Sequence, residues 1–267
     1  MRLFDLIGAA AVAAWLILVG LYVSHVYFEE DAQDLAGGVI IEEGESWMLL
    51  TREEHEVGYI HETRTRLDSD LGWLLEYDLL INVEMLGADQ FLRTNIRASV
   101  DGEAFLKEFA ASIQAAATTF KLEGHVDGTT VAMTMDLAGA ARERTIELNE
   151  RPRLANSAVH ELVAADELVP GMRFEQQYFD PTVMGMTTMT FEYVRRHTVD
   201  VYDQQVETLH FRQLVAGNEL DVYVDSHGEV YIQEFPLRIL GARVPPVFGR
   251  ARATPMRRAL EREASDG

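Results

Sequence analysis

The sequence predicts a mainly β protein: one large curved antiparallel sheet in the form of a half-barrel, carrying one short helix and preceded by a single N-terminal transmembrane helix. Three observations predict it. An uncharged apolar run opens the chain, a period of two dominates from Trp47 onward, and a single capped segment ending at Pro170-Gly171 breaks that period.

The opening run, Leu6 to Val23, reads LIGAAAVAAWLILVGLYV. As a helix these residues span roughly 27 Å, enough to cross the hydrocarbon core of a bilayer. Tyr22, His25 and Tyr27 cluster near its far end, where amphipathic rings favour the headgroup level. YVSHVYFEEDAQ offers no A-x-A cleavage site, so the segment is expected to stay as an anchor over residues 1–28. Arg2 precedes the run and Glu29, Glu30 and Asp31 follow it. The positive-inside bias then keeps the N-terminus in the cytoplasm and exports the rest, an inner-membrane, single-pass, periplasmic arrangement.

Residues 29–46 are acidic and contain glycine, as a short tether would. The expected extracytoplasmic domain covers 47–242. Its clearest strand places Trp73, Leu75, Tyr77, Leu79, Ile81, Val83 and Met85 on one face, with Glu76, Asp78, Asn82 and Glu84 on the other. Glu56 to Leu67 reads as the strand before it and Asp89 to Val100 as the strand after it, a three-stranded meander.

Glu103 to Phe120 has helix-like spacing at Phe105, Phe109 and Ile113. It also belongs to a weak repeat, because VDGEAFLKEF (Val100 to Phe109) resembles VDSHGEVYIQEF (Val224 to Phe235). The repeat favours strand. Ser157 to Leu168 is the predicted helix, capped by Asn156 or Ser157 and laid on the concave sheet face. Strand-like runs follow at Met172 to Phe179, Met186 to Val199, Gln205 to Val215 and Glu219 to Pro236. Residues 243–267 carry six arginines against Glu261, Glu263 and Asp266. They read as a solvated, disordered tail, or as a basic segment that docks on an acidic surface.

Composition limits the chemistry. The chain of 267 residues is 48% hydrophobic and 25% charged, with a net charge of -21 and no cysteine. The acidity argues against nucleic acid as a partner, and the missing thiol excludes disulfides, thiolate metal sites and a cysteine nucleophile. His55 and His61 stand ~20 Å apart along one strand and match no metal-ligand spacing, so no metal or cofactor is expected. There is no G-x-S-x-G, S-x-x-K or phosphate-binding glycine loop. An acid pair such as Glu62 with Glu76 is expected by chance in a chain with 44 acidic residues. Catalysis is therefore not expected.

The quoted segments, with EVGYIHETRT, INVEMLG, FKLEGHVDGTTVAM and ELVPGMRFEQQYFDPTVM, resemble an envelope β domain associated with bacterial transglutaminase-like proteins, similar to the DUF3108-type periplasmic family. The resemblance covers roughly Trp47 to Pro236. It implies an extracytoplasmic domain working beside other envelope proteins, and carries no catalytic triad because cysteine is absent.

Two functions follow as expectations. One is a non-catalytic accessory or scaffold module whose partners are the membrane, through Leu6–Val23, and other envelope proteins. The other is a lipid or lipoprotein carrier of LolA- or lipocalin-like shape. Its acyl chain would lie on Trp73, Tyr77, Leu79 and Ile81, with the methionines Met184 and Met186 at the mouth.

Overall fold

The computed structural model describes residues 33–34, 43–67, 72–85, 88–115, 118–153, 163, 168–180, 185–215 and 218–266. The expected anchor, nearly all of the expected helix at Ser157 to Leu168, and Met184 lie outside these residues. Fifteen strands form one sheet: β1 (Gln33–Asp34), β2 (Gly44–Arg52), β3 (His55–Arg66), β4 (Trp73–Met85), β5 (Ala88–Val100), β6 (Leu106–Ala115), β7 (Thr118–Asp127), β8 (Thr130–Leu137), β9 (Ala140–Glu147), β10 (Arg173–Asp180), β11 (Gly185–Val201), β12 (Gln204–Val215), β13 (Asn218–Val224), β14 (Val230–Phe235) and β15 (Ile239–Val244). A helix, α1 (Pro246–Asp266), follows β15.

The sheet order is β1-β10-β11-β12-β13-β14-β15-β2-β3-β4-β5-β6-β7-β8-β9. It is two meanders joined where β15 pairs antiparallel with β2. Every neighbour pair is antiparallel except β1 with β10, which is parallel. The sheet must curl, because Phe109 on β6 meets Phe179 on β10 with ring centroids 5.6 Å apart although nine strands lie between them in the sheet. Residues between β9 and β10 tie the two meanders. Leu106 donates to the Pro152 carbonyl (2.8 Å) and Phe179 to that of Arg153 (3.0 Å).

Two apolar clusters fill the concave face. Phe174, Tyr178, Met189, Phe191, Tyr193, Phe211 and Val222 form one. Val163, which is helical, and Leu168 pack against it from the segment expected to be a helix. Leu75, Ala98, Val100, Phe109, Leu122, Val131 and Met133 form the other, joined by Phe179. A third cluster lies on the opposite, convex face. There Trp47, Tyr59, Leu80 and Val244 are covered by Ala253 and Leu260 of α1.

The meander of β3, β4 and β5 and the strand reading of Glu103 to Phe120 agree with the structure, although the latter segment divides into β6 and the start of β7. Four differences are findings. Gln33–Asp34 and Gly44 to Ser46, expected in a tether, belong to β1 and β2 because each finds a sheet edge to pair with. The expected tail finishes β15 and then forms a docked helix. β4 buries both faces, since Leu80 is fully buried under α1 while Leu75 is buried on the concave side. Glu62 and Glu76 point to opposite faces, because Glu62 pairs with Tyr77 and Glu76 with Thr63.

The repeat is a real structural correspondence. The Asp101 carboxylate accepts the backbone N–H groups of Glu103 and Phe105, both at 3.0 Å. The Asp225 carboxylate accepts those of His227 (2.8 Å) and Glu229 (3.0 Å). Ala104 and Gly228 occupy the same place in their turns and both have positive φ, 63° and 85°. Each turn follows the fourth strand of its meander, counting from β2 and from β10.

Candidate functional site

Charged side chains collect at two places near the centre of the sheet, one on each face. On the concave face, β3 supplies Glu62 and Arg64, β4 Tyr77, β2 Ser46 and β15 Arg243, while Glu229 sits just before β14. Arg64 Nη2 lies 2.6 Å from Glu229 Oε1, and Arg243 Nη1 lies 2.5 Å from Glu229 Oε2. The Tyr77 hydroxyl donates to Glu62 (3.0 Å), as does Ser46 (3.3 Å). Arg64 is only 8% exposed, and its buried Nε has no hydrogen-bond acceptor, with Glu62 at 3.9 Å as its nearest counter-charge.

Burial by itself would raise the pKa of Glu229. The hydrogen bond from Arg243 and the charge of Arg64 outweigh it and hold the carboxyl below its ordinary range. Tyr77 goes the other way: burial, then the adjacent Glu62 carboxylate, push its phenol well above the ordinary value. The cluster thus sets Arg64 and Arg243 against Glu229, with Glu62 and the Tyr77 hydroxyl beside them, and links strands from both meanders.

On the convex face Asp78 of β4 is the hub. Arg93 of β5 donates through Nε at 2.9 Å, Tyr59 of β3 through its hydroxyl at 2.9 Å, and Arg257 of α1 through Nη2 at 2.7 Å. Arg257 Nε also donates to the Tyr59 oxygen at 2.6 Å. Burial, countered in part by Arg257 but reinforced by the charge of Asp78, raises the Tyr59 phenol to about 12. Asp78 is held below its usual range, because Arg93, Tyr59 and Arg257 together outweigh its burial. Beside it a shallow groove of about 380 Å³ runs over β3 to β7, lined by polar side chains including His61, Thr63, Asn95 and Ser112.

A third group lies on β11 to β13. His210 is buried, its Nε2 is 2.8 Å from the Asp221 carboxylate, and its ring stacks on Tyr223 at 4.4 Å. His197 approaches the same ring at 5.8 Å. The structure thus brings together two histidines that sequence spacing keeps apart. No group of three metal-ligating side chains occurs among the described residues.

Trp73, Tyr77, Leu79 and Ile81, expected to hold an acyl chain, share one face of β4. Trp73 and Tyr77 pack against the cluster of Leu75, Phe109 and Val131, and so does Met186. Leu79 and Ile81 are half-buried on the same strand. Met133 and Met189 are buried in the two clusters, and Gln213 donates to the Met189 sulfur at 2.9 Å, so these methionines fill the core.

No family model matches the chain, and no curated protein matches it. Among solved structures it is similar to a β-barrel-like protein of the domain of unknown function DUF1849 from Brucella abortus, at 10% identity and a TM-score of 0.55. The alignment covers 78% of this chain and 98% of that one. This likeness shows the fold alone: a β-barrel-like domain. A DUF1089 family protein from Pseudomonas aeruginosa aligns over 80% of the chain at 15% identity, but its TM-score of 0.36 carries no argument. Neither comparison supports the DUF3108-type or transglutaminase association.

Docking of residues 243–267 on acidic side chains, one of the two sequence expectations, agrees with the structure, but the helical form of α1 was not expected. A signal for it exists: Gly249, Ala253, Met256 and Leu260 recur at spacings of four, three and four, one helical face otherwise surrounded by arginines.

Proposed function

We propose that the chain is a membrane-anchored, extracytoplasmic accessory or scaffold module of the bacterial envelope that acts by binding rather than by catalysis. The observation that carries this reading is the use made of its buried and half-buried charges. Arg64, Glu229 and Arg243 join β3 to the β13–β14 turn and β15, while Asp78, Arg93 and Arg257 join β4, β5 and α1. Groups matched in this way rigidify a scaffold, whereas a catalytic acid or base needs a free lone pair or proton facing a cleft. The β-barrel-like fold and the apolar run at Leu6–Val23 are consistent with an exported module on a tether.

The carrier alternative draws less support. Trp73 and Tyr77, two of the residues it needs facing a ligand, are partly buried against the protein's own side chains. The test is affinity purification of the full chain, solubilised in mild detergent from its native membrane. Envelope proteins at stoichiometric yield support the scaffold reading. A monomer that co-purifies with one equivalent of lipid and no protein would favour the carrier instead.

A further inference from the structure

The convex-face platform under α1 has the features of a docking surface already occupied by a segment of the same chain. Trp47, Tyr59, Leu80 and Val244 form its apolar floor, with Leu49 and Phe91 at the edge. α1 covers this floor with Gly249 and Ala253 at the closest approach and Phe248, Met256 and Leu260 beside them. A Cβ on Gly249 would stand 2.6 Å from the Trp47 ring, so the helix lies directly on the indole. Around the floor three carboxylates meet three α1 arginines: Glu45 with Arg250, Glu56 with Arg252 (3.5 Å) and Asp78 with Arg257 (2.7 Å). The helix carries five arginines against three acids, whereas the whole chain has a net charge of -21.

Two features make this cover removable. Pro255 lies inside α1 and contributes no N–H, while the Thr254 hydroxyl donates back to the Arg250 carbonyl at 2.9 Å. Both weaken a helix at that point, so the half carrying Arg257 and Leu260 can lift first and the half on Trp47, Glu45 and Glu56 after it. In addition, Asp78 keeps its bonds from Arg93 and Tyr59 when Arg257 leaves, so lifting strands no unmatched carboxylate.

We propose that α1 is a displaceable strap, and that the platform it covers binds an amphipathic, arginine-bearing helix of another protein. The acids at Glu45, Glu56 and Asp78 select the charge, and the floor selects a helix with a small residue over Trp47 and longer apolar residues beside it, as Gly249 stands beside Met256 and Leu260. This names the kind of partner the scaffold reading requires and rests on that reading. Its evidence is separate, because the test uses only purified protein.

Hydrogen exchange and peptide binding on the full chain in detergent provide the test. In R257Q, amides of α1 after Pro255 should exchange at least about tenfold faster than in the wild type while those of β2 to β4 are unchanged. A fluorescent peptide of residues 246–267, a stand-in for the partner helix, should bind R257Q at least about tenfold more tightly than it binds the wild type. Adding D78N to R257Q should remove that gain. If R257Q does not fold, raising ionic strength on the wild type from about 0.05 to about 0.5 M should loosen the same amides selectively. Exchange of α1 only together with the sheet, or a peptide that binds neither chain, overturns the proposal. A concentration-dependent R257Q dimer would make a second copy the occupant and overturn the assignment of an external helix.

Discussion

Arg64 on β3 and Glu229 at the end of the β13–β14 turn meet at 2.6 Å, with Arg64 buried to 8% exposure and Glu229 shared with Arg243. This contact joins the first meander to the second across the β15–β2 seam. Replacing Arg64 by Met leaves Glu62 without a guanidinium neighbour and Glu229 with one where it had two. Breaking a buried pair from one side costs about 3 kcal/mol. Urea unfolding of R64M should show that loss as a lower midpoint at unchanged slope. A loss under about 0.5 kcal/mol would mean that the contact is incidental.

The matched turns predict matched costs. Asp101→Ala and Asp225→Ala each remove a carboxylate that accepts two backbone N–H groups, and each should destabilise by roughly 1–3 kcal/mol. Values within about 1 kcal/mol of each other in the same unfolding assay bear out the equivalence of the turns. An effect confined to one turn contradicts it.

Glycines at three positions should respond differently to Ala. A Cβ on Gly58 would stand 2.0 Å from the Leu80 carbonyl oxygen, a backbone atom of the neighbouring strand that cannot move without breaking the β3–β4 ladder. One on Gly124 would stand 2.2 Å from the Phe109 ring, a side chain with some freedom to shift. Gly44 has open space. Thermal unfolding should rank G58A well below G124A, with a cost of about 3 kcal/mol or more for G58A, and G44A near the wild type. The reverse order of G58A and G124A would refute the β3–β4 register.

Much of the sheet was legible in the sequence because half-buried strands alternate. β4 was read with its bounds intact, and β3, β5 and β10 to β12 to within one or two residues. β9 was not read, since all of its side chains are exposed except Ile146, which is half-buried, and an edge strand with Arg142, Glu143 and Arg144 has no apolar period to detect. α1 was hidden by its own arginines. The two charged hubs were illegible for a different reason: Arg64 with Glu229 and Asp78 with Arg257 are neighbours only after the sheet has curled and the helix has docked.

Acid should loosen these hubs first. The folded-state pKa values of Asp78 and Glu229 lie below their ordinary values of 3.8 and 4.5, so their contribution to stability is complete above that range. It falls away as pH drops through 4.5 and 3.8 toward the depressed folded values. Unfolding midpoints measured between pH 7 and pH 3 should decline in that window, and D78N should decline less steeply because one of the titrating groups is gone. Identical slopes for D78N and the wild type would remove Asp78 from the account.

Every functional statement depends on the domain lying outside the cytoplasm, and the chain offers a direct way to measure that. It has no cysteine, and Glu143 is exposed on the edge strand β9. A Glu143→Cys variant therefore carries a single thiol at a position that tolerates substitution. In spheroplasts of cells expressing the full chain, a membrane-impermeant maleimide should label this thiol without lysis, and deleting Leu6–Val23 should abolish that labelling. Labelling of the full chain only after lysis would place the domain in the cytoplasm and contradict the envelope function.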